Sequence, residues 1–230
     1  MKTLKNAAAA VCAVLLLFAL LTAALNIIFN RTGWLKAEYE TLSVEAEYGI
    51  SPRDASRVLG RMMHYSTGRA ADLDVTIVED GREVAFFNER ELSHMRDVRA
   101  LTRGIMIAGM ASLAVSAAIL ILLAATRSRG ALRVFAKAFL IALGVLLVII
   151  AALGIWIAAD FDSFWTVFHI VFLDLESSTF DPAVSRMIRI CPEELFSDFI
   201  VRFAAYSSIF AGTAAAACAV YLAAAKKKHD

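Results

Sequence analysis

Of the four histidines in this 230-residue chain, two stand where acid–base chemistry could be done. His94 lies in the stretch NERELSHMRDVRAL, within a helical turn of Glu91 and Asp97. His169 lies in DFDSFWTVFHIVFLD, among aromatic residues. An imidazole titrates near neutral pH, so it can take a proton from an attacking nucleophile and return one to a leaving group. A carboxylate one turn away can fix its tautomer and stabilise the imidazolium, a part open to Asp97 or Glu91 beside His94. Such a pair at the ester level of a membrane suits acyl transfer. No G-x-S-x-G nucleophile elbow and no H-E-x-x-H zinc motif is present. Two histidines without a third ligand at suitable spacing predict no metal. The same residues also have an ordinary reading. His94 then decorates a charged helix end, and His169 belongs to a helix lying in the membrane interface. His64, in MMHY, is expected on an exposed helix face, and His229 in a solvated basic tail.

What must position these groups is a membrane protein. The chain is 60% hydrophobic, with a mean hydropathy of +0.66, well above an ordinary soluble domain. Four apolar runs, 7–29, 104–126, 138–159 and 204–225, contain no Asp, Glu, Lys, Arg or His. Each is long enough to cross about 30 Å of hydrocarbon as a helix. Lys2 and Lys5 precede the first run, but its length and poor cleavage site read as a retained anchor rather than a signal peptide. The fourth run is rich in Ala, which predicts close helix packing rather than lipid exposure. The net charge of +1 gives no reason to expect a nucleic-acid partner; the placement of charge matters more. Lys2 and Lys5, then Arg127, Arg129, Arg133 and Lys137, then Lys226, Lys227 and Lys228 all fall on one side of four spans. That side is cytoplasmic by the positive-inside rule, with both termini there. The acidic segment 160–203 then lies outside. Cys12, Cys191 and Cys218 offer no intramolecular disulfide and read as packing residues.

The resulting division is a cytoplasmic start and first span (1–29), an extracytoplasmic cap (30–103), two spans with a basic cytoplasmic link (104–159), an extracytoplasmic interfacial segment (160–203), and a last span with a basic tail (204–230). In the cap, Ser51, Pro52 and Asp54 start a helix and Gly68 stops it. LDVTIV and REVAFF flank Glu79, Asp80 and Gly81 as a hairpin. Asn88 and Glu91 form a second capping box. It opens one helix that continues into the second span, with Glu91, His94, Asp97, Val98 and Leu101 on one face. After the third span, Phe164, Trp165, Phe168, Val171 and Phe172 form an apolar stripe, with Thr166 and His169 opposite. Asp181–Pro182 and Pro192 start two short helical pieces. The short link between the second and third spans predicts an antiparallel pair, bringing His94 and His169 out on one side. The fold class is an all-α membrane protein, four transmembrane helices with a small α/β extracytoplasmic cap.

Taken together, FNERELSHMRDVRAL before a span, FWTVFHIVF after the next, then DP and PEELFSDF, resemble the lipoprotein intramolecular transacylase family (Lit) of Gram-positive bacteria. The sharpest parts are the H-M-x-D-V block from His94 and the Phe168–His169 pair; HYSTGRA from His64 is similar to a Tyr-x-x-Gly region of that family. The resemblance implies a multi-pass protein of the bacterial plasma membrane. It implies transfer of the sn-2 acyl chain of a diacylglyceryl-modified lipoprotein to the α-amine of its N-terminal cysteine, giving the lyso form without a cofactor. It implies that His94 and His169 are catalytic; His94, beside its carboxylates, is the preferred base and His169 the hydrogen-bond or proton donor, with the reverse assignment also open, and Asp97, before Glu91, orients His94. Tyr65, Trp165 and Phe168 are then candidate substrate contacts, and membrane lipid a partner. The sequence departs from the family where FLDLESSTFDP replaces an Asn and a Trp before Asp-Pro. Two other functions fit the pattern, a non-enzymatic membrane assembly or binding protein and a membrane lipid or lipoprotein esterase.

Overall fold

The computed structural model describes residues 2–79, 81–173 and 180–226. Its elements, in order, are α1 (Lys2–Asn30), a 3-10 turn (Thr32–Trp34), α2 (Leu35–Tyr39), α3 (Val44–Tyr48), α4 (Pro52–Thr67), β1 (Thr76–Glu79), β2 (Arg82–Ala85), α5 (Glu89–Ala125), α6 (Arg129–Ala159), α7 (Phe161–Phe172), α8 (Arg186–Arg189) and α9 (Glu193–Lys226). Helices α1, α5, α6 and α9 are long and apolar enough to cross a membrane. The chain divides into two compact units. An apolar unit holds 1–25, 105–161 and 204–230, and an α/β unit holds 26–104 and 162–203.

In the apolar unit α1 is the packing centre. Its Ala13 and Leu17 meet Ala136 and Phe139 of α6 and Ala211 and Cys218 of α9 in one buried cluster. Against α5 it packs by small groups: Cys12 Sγ donates to the Ser116 carbonyl at 3.5 Å and Ser116 Oγ to the Cys12 carbonyl at 3.4 Å. A Cβ added at Gly109 would lie 2.6 Å from Thr22 Cβ, so only glycine permits this approach. The expectation for the Ala-rich fourth run is overturned. Only 11% of the apolar window of α9 is buried, against 39% for α1. Small side chains permit close approach but do not compel it, and the α1–α5 seam uses the closest one.

The α/β unit is built as its capping signals dictate. Ser51 Oγ accepts from Asp54 N at 3.1 Å, and Gly68, at φ +85, ends α4 in the left-handed conformation that glycine adopts without steric cost. The hairpin pairs Thr76 with Ala85 and Glu79 with Arg82; Asp80, at its turn, lies outside the described residues. Around these elements Leu35, Tyr39, Val58, Met62, Ile77, Phe86, Met95 and Ile190 are buried, and Tyr39 Oη donates to the Ile190 carbonyl at 2.5 Å. The segment 31–50, which carries no strong periodicity, forms three short helical turns. Pro192 does not start a separate short helix. It precedes one 34-residue helix, α9, that runs through the fourth apolar run. The piece expected to start at Asp181–Pro182 begins instead at Arg186, as α8, with Ser185 accepting from Ile188 N as its cap.

Candidate active site

Asn88 N donates to Glu91 Oε2 at 2.8 Å and Glu91 N to Asn88 Oδ1 at 3.0 Å, a reciprocal box that fixes the start of α5. One turn later comes His94, only 7% exposed. The second histidine stands on α7, a helix separated from α6 by Asp160, whose φ of −160° and ψ of 84° break the helical path. His169 is the single buried residue of α7. The sequence placed it opposite the aromatic stripe; instead the buried side carries His169 with Trp165 one turn before it, and Val167, Ile170, Val171 and Phe172 are exposed. An imidazole edge against an indole is a better-packed interior than the outer stripe, which keeps its apolar area for surroundings outside the chain.

The two rings meet. Their centroids are 6.0 Å apart and their planes 25° from parallel. Trp165 and Phe168 contact the His169 ring edge-on at 4.5 and 5.5 Å, and Phe196 backs Trp165 at 4.5 Å. Phe180 stands edge-on against His94 at 5.3 Å, and the Arg90 guanidinium lies over the Phe180 ring, 5.5 Å from its centroid. His169 Nδ1 is 2.7 Å from the Trp165 carbonyl. A carbonyl only accepts, so Nδ1 carries a proton, and in the neutral ring the lone pair lies on Nε2. His94 Nδ1 is buried without a hydrogen-bond partner among the described residues. Burial, and next the neighbouring His169, bring His94 down to about 4 from an ordinary 6.5, outweighing the opposite pull of Asp97. His94 is therefore neutral at pH 7.

The other sequence candidates fall in different places. Asp97 is exposed and acts on His94 only as a nearby charge. Glu91 is fully buried and its carboxylate faces elsewhere: besides Asn88 N it accepts from Ser185 Oγ at 2.6 Å and Met187 N at 2.9 Å. It thus ties α5 to the start of α8, and its charge helps burial push the Cys191 thiol up to about 12. Arg186, the first residue of α8, pairs with Glu79 of β1, which holds the Glu79 carboxyl below its usual range. Tyr65 stacks under the Arg99 guanidinium at 4.4 Å and lines a pocket of about 400 Å3 with Asp72, Phe87, Leu92 and Arg96. Neither histidine lines it. His64 is half-buried rather than exposed, its Nε2 enclosed without a partner among the described residues. Phe180 and Glu91's long-range partners were missed from sequence; the Phe before Asp-Pro carries no signal of its own. The variant loop residues Asp174, Ser177 and Ser178, and His229 in the tail, lie outside the described residues. Among the described residues no third His, Cys, Asp or Glu joins the pair in a metal-ligating group.

The sequence profile of the family described as lipoprotein intramolecular transacylase Lit matches residues 10–196. The chain belongs to that family. No curated protein matches it by sequence. Among solved structures, the membrane integral Lit of Bacillus cereus superposes with a TM-score of 0.74 at 17% identity, covering 100% of this chain and 99% of that one. Two variants of the Bacillus cereus protein, with one histidine replaced by Arg or by Ala, superpose with TM-scores of 0.70 at 16% and 15% identity. They cover 99% of this chain and 94% and 96% of theirs. This Lit member is an integral membrane protein, a transacylase by family, with four apolar helices and a small two-stranded sheet.

Proposed function

We propose that this Lit member moves the sn-2 acyl chain of a diacylglyceryl lipoprotein to the α-amine of the N-terminal cysteine, with His169 as base and His94 as hydrogen-bond donor. The observation that carries this is the facing pair itself, 6.0 Å apart, with the Nδ1 of His169 committed to a carbonyl. The amine nitrogen attacks the ester carbonyl carbon while His169 Nε2 takes an amine proton. The oxyanion receives a hydrogen bond from the N–H of neutral His94. The intermediate collapses by breaking the bond to the glycerol oxygen, which takes the proton back from His169, and an amide replaces the ester. Because both reacting groups belong to one molecule, holding them together supplies much of the rate. Depression of His94 supports its role as a neutral donor rather than a base, and Glu91 acts on the fold around it rather than on its tautomer. Trp165 and Phe168 flank the reacting centre, and the exposed apolar side of α7 faces acyl chains. The α/β unit lies outside the plasma membrane and both termini lie in the cytoplasm, as the basic clusters direct.

A diacylglyceryl lipopeptide incubated with the reconstituted protein, followed by mass spectrometry of its N-terminus, tests this. The product expected is N-acylated and keeps one O-linked chain, with no mass change. Release of free fatty acid instead would make the protein an esterase, and an untouched free amine would leave the histidine pair without this role.

A further inference from the structure

The described residues of the apolar unit concentrate positive charge with little acid among them. They include Lys2, Lys5, Arg127, Arg129, Arg133, Lys137 and Lys226, and a single acid, Asp160. Asp160 follows the far end of α6, about 45 Å from Arg129 at 1.5 Å per residue. None of these cations takes part in a described ion pair; all five such pairs lie in the α/β unit. Four of them, Lys2, Lys5, Arg127 and Arg129, surround one open cleft of about 560 Å3 between the start of α1 and the α5–α6 turn. A positive-inside signal requires only that the charges lie on one side; it does not require them to converge.

The cleft is also lined with unused donors. Lys5 Nζ donates to Ser128 Oγ at 2.9 Å, which holds the half-buried ammonium at the cleft without cancelling its charge. That contact, with Thr126 Oγ1 at 2.8 Å, occupies the hydroxyl that would otherwise cap α6, and no side chain caps this helix. The N–H groups of Gly130 and Ala131 have no described acceptor, and they lie at the positive end of a 31-residue helix. Asn6 adds an amide. Ammonium, guanidinium, amide and backbone donors around one space, with no carboxylate among the described residues that line it, make a recognition set for a phosphate.

We infer that this cleft binds a phosphate group, supplied by the headgroup of an anionic glycerophospholipid. The ends of two membrane-crossing helices lie at headgroup depth, where such phosphates are abundant, and the volume holds a glycerophosphate rather than a bare ion. The inference is independent of the acyl-transfer chemistry, which uses neither these residues nor this unit.

Native mass spectrometry and thermal unfolding of the protein in nanodiscs test it. Phosphatidylglycerol in phosphatidylcholine should leave one tightly retained anionic lipid per chain, and the K5Q/R129Q variant should need at least tenfold more of it for the same thermal protection. The K137Q/K226Q variant, with the same charge removed outside the cleft, should behave as wild type. Protein in detergent with inorganic phosphate or glycerol phosphate separates the sources. Protection by these at equal concentration would keep the phosphate site but make the ligand a free anion. Equal loss in both double variants, or no preference for phosphatidylglycerol over phosphatidylcholine, overturns the inference.

Discussion

A histidine whose Nδ1–H is fixed on a carbonyl has one nitrogen left for chemistry, and this separates two substitutions of His169. His169→Asn can still offer an N–H to the Trp165 carbonyl, whereas His169→Ala cannot. Both remove Nε2, and both should slow acyl transfer by about 10²–10⁴-fold in a lipopeptide assay. Retention of near-normal rate by His169→Asn would move the base elsewhere. His94 carries a second test. Its folded-state value of about 4 lies below the ordinary 6.5, so between these values the unfolded chain binds more protons than the native one. The stability contributed by neutral His94 is complete above about pH 6.5 and lost as the pH falls to 4, a difference of about 3 kcal/mol. Unfolding in detergent at pH 7 and pH 4.5 should show wild type losing more stability than His94→Phe. Equal losses would mean that His94 is not held neutral.

At the scale of elements, Glu91 joins parts of the chain that are ninety-odd residues apart. Its box with Asn88 was legible because N-x-x-E before a helix has a local cause: the first N–H groups of a helix need acceptors. Its bonds to Ser185 Oγ and Met187 N were not, because nothing local requires them. Glu91→Gln keeps one carbonyl oxygen for three donors and should cost about 1.5–3 kcal/mol by thermal unfolding. Ser51→Ala, which removes an outlying cap, should cost about 1 kcal/mol. If the two cost the same, the Glu91 tie is no stronger than an ordinary cap. The long helices followed from apolar length, yet the reach of α9 back to Glu193 did not, since EELFSDFIVRF is polar enough to pass for a separate piece.

For the whole molecule, the closeness of α1 to α5 depends on Gly109. Gly109→Ala places a methyl against Thr22 and should destabilise the protein by about 1–3 kcal/mol, with Thr22→Gly restoring part of the loss in the double variant. Additive losses would disprove the contact. Orientation is tested by thiol labelling in cells. Cys12 and Cys218 are buried and burial pushes the Cys191 thiol up to about 12, so the native background reacts slowly. Arg82→Cys in the hairpin should label in intact cells, and Arg127→Cys only after the membrane is opened. The reverse pattern would invert the topology.

The sequence by itself determined the four helices, the hairpin, the Ser51 cap, the Asn88–Glu91 capping box and the two histidines. Each rests on hydrophobic length, local hydrogen-bond need or residue chemistry, which are written along the chain. Tertiary structure decided which face of α7 is buried, that Trp165 and Phe180 pack on the pair, and that the Glu91 carboxylate is taken up by Ser185 and Met187. It also decided that α1, and not the Ala-rich α9, is the packing centre. These depend on which surfaces meet, and contact between residues far apart in sequence leaves no periodicity to read. The separation of 6.0 Å between His94 and His169 belongs to this second class, although each residue belongs to the first.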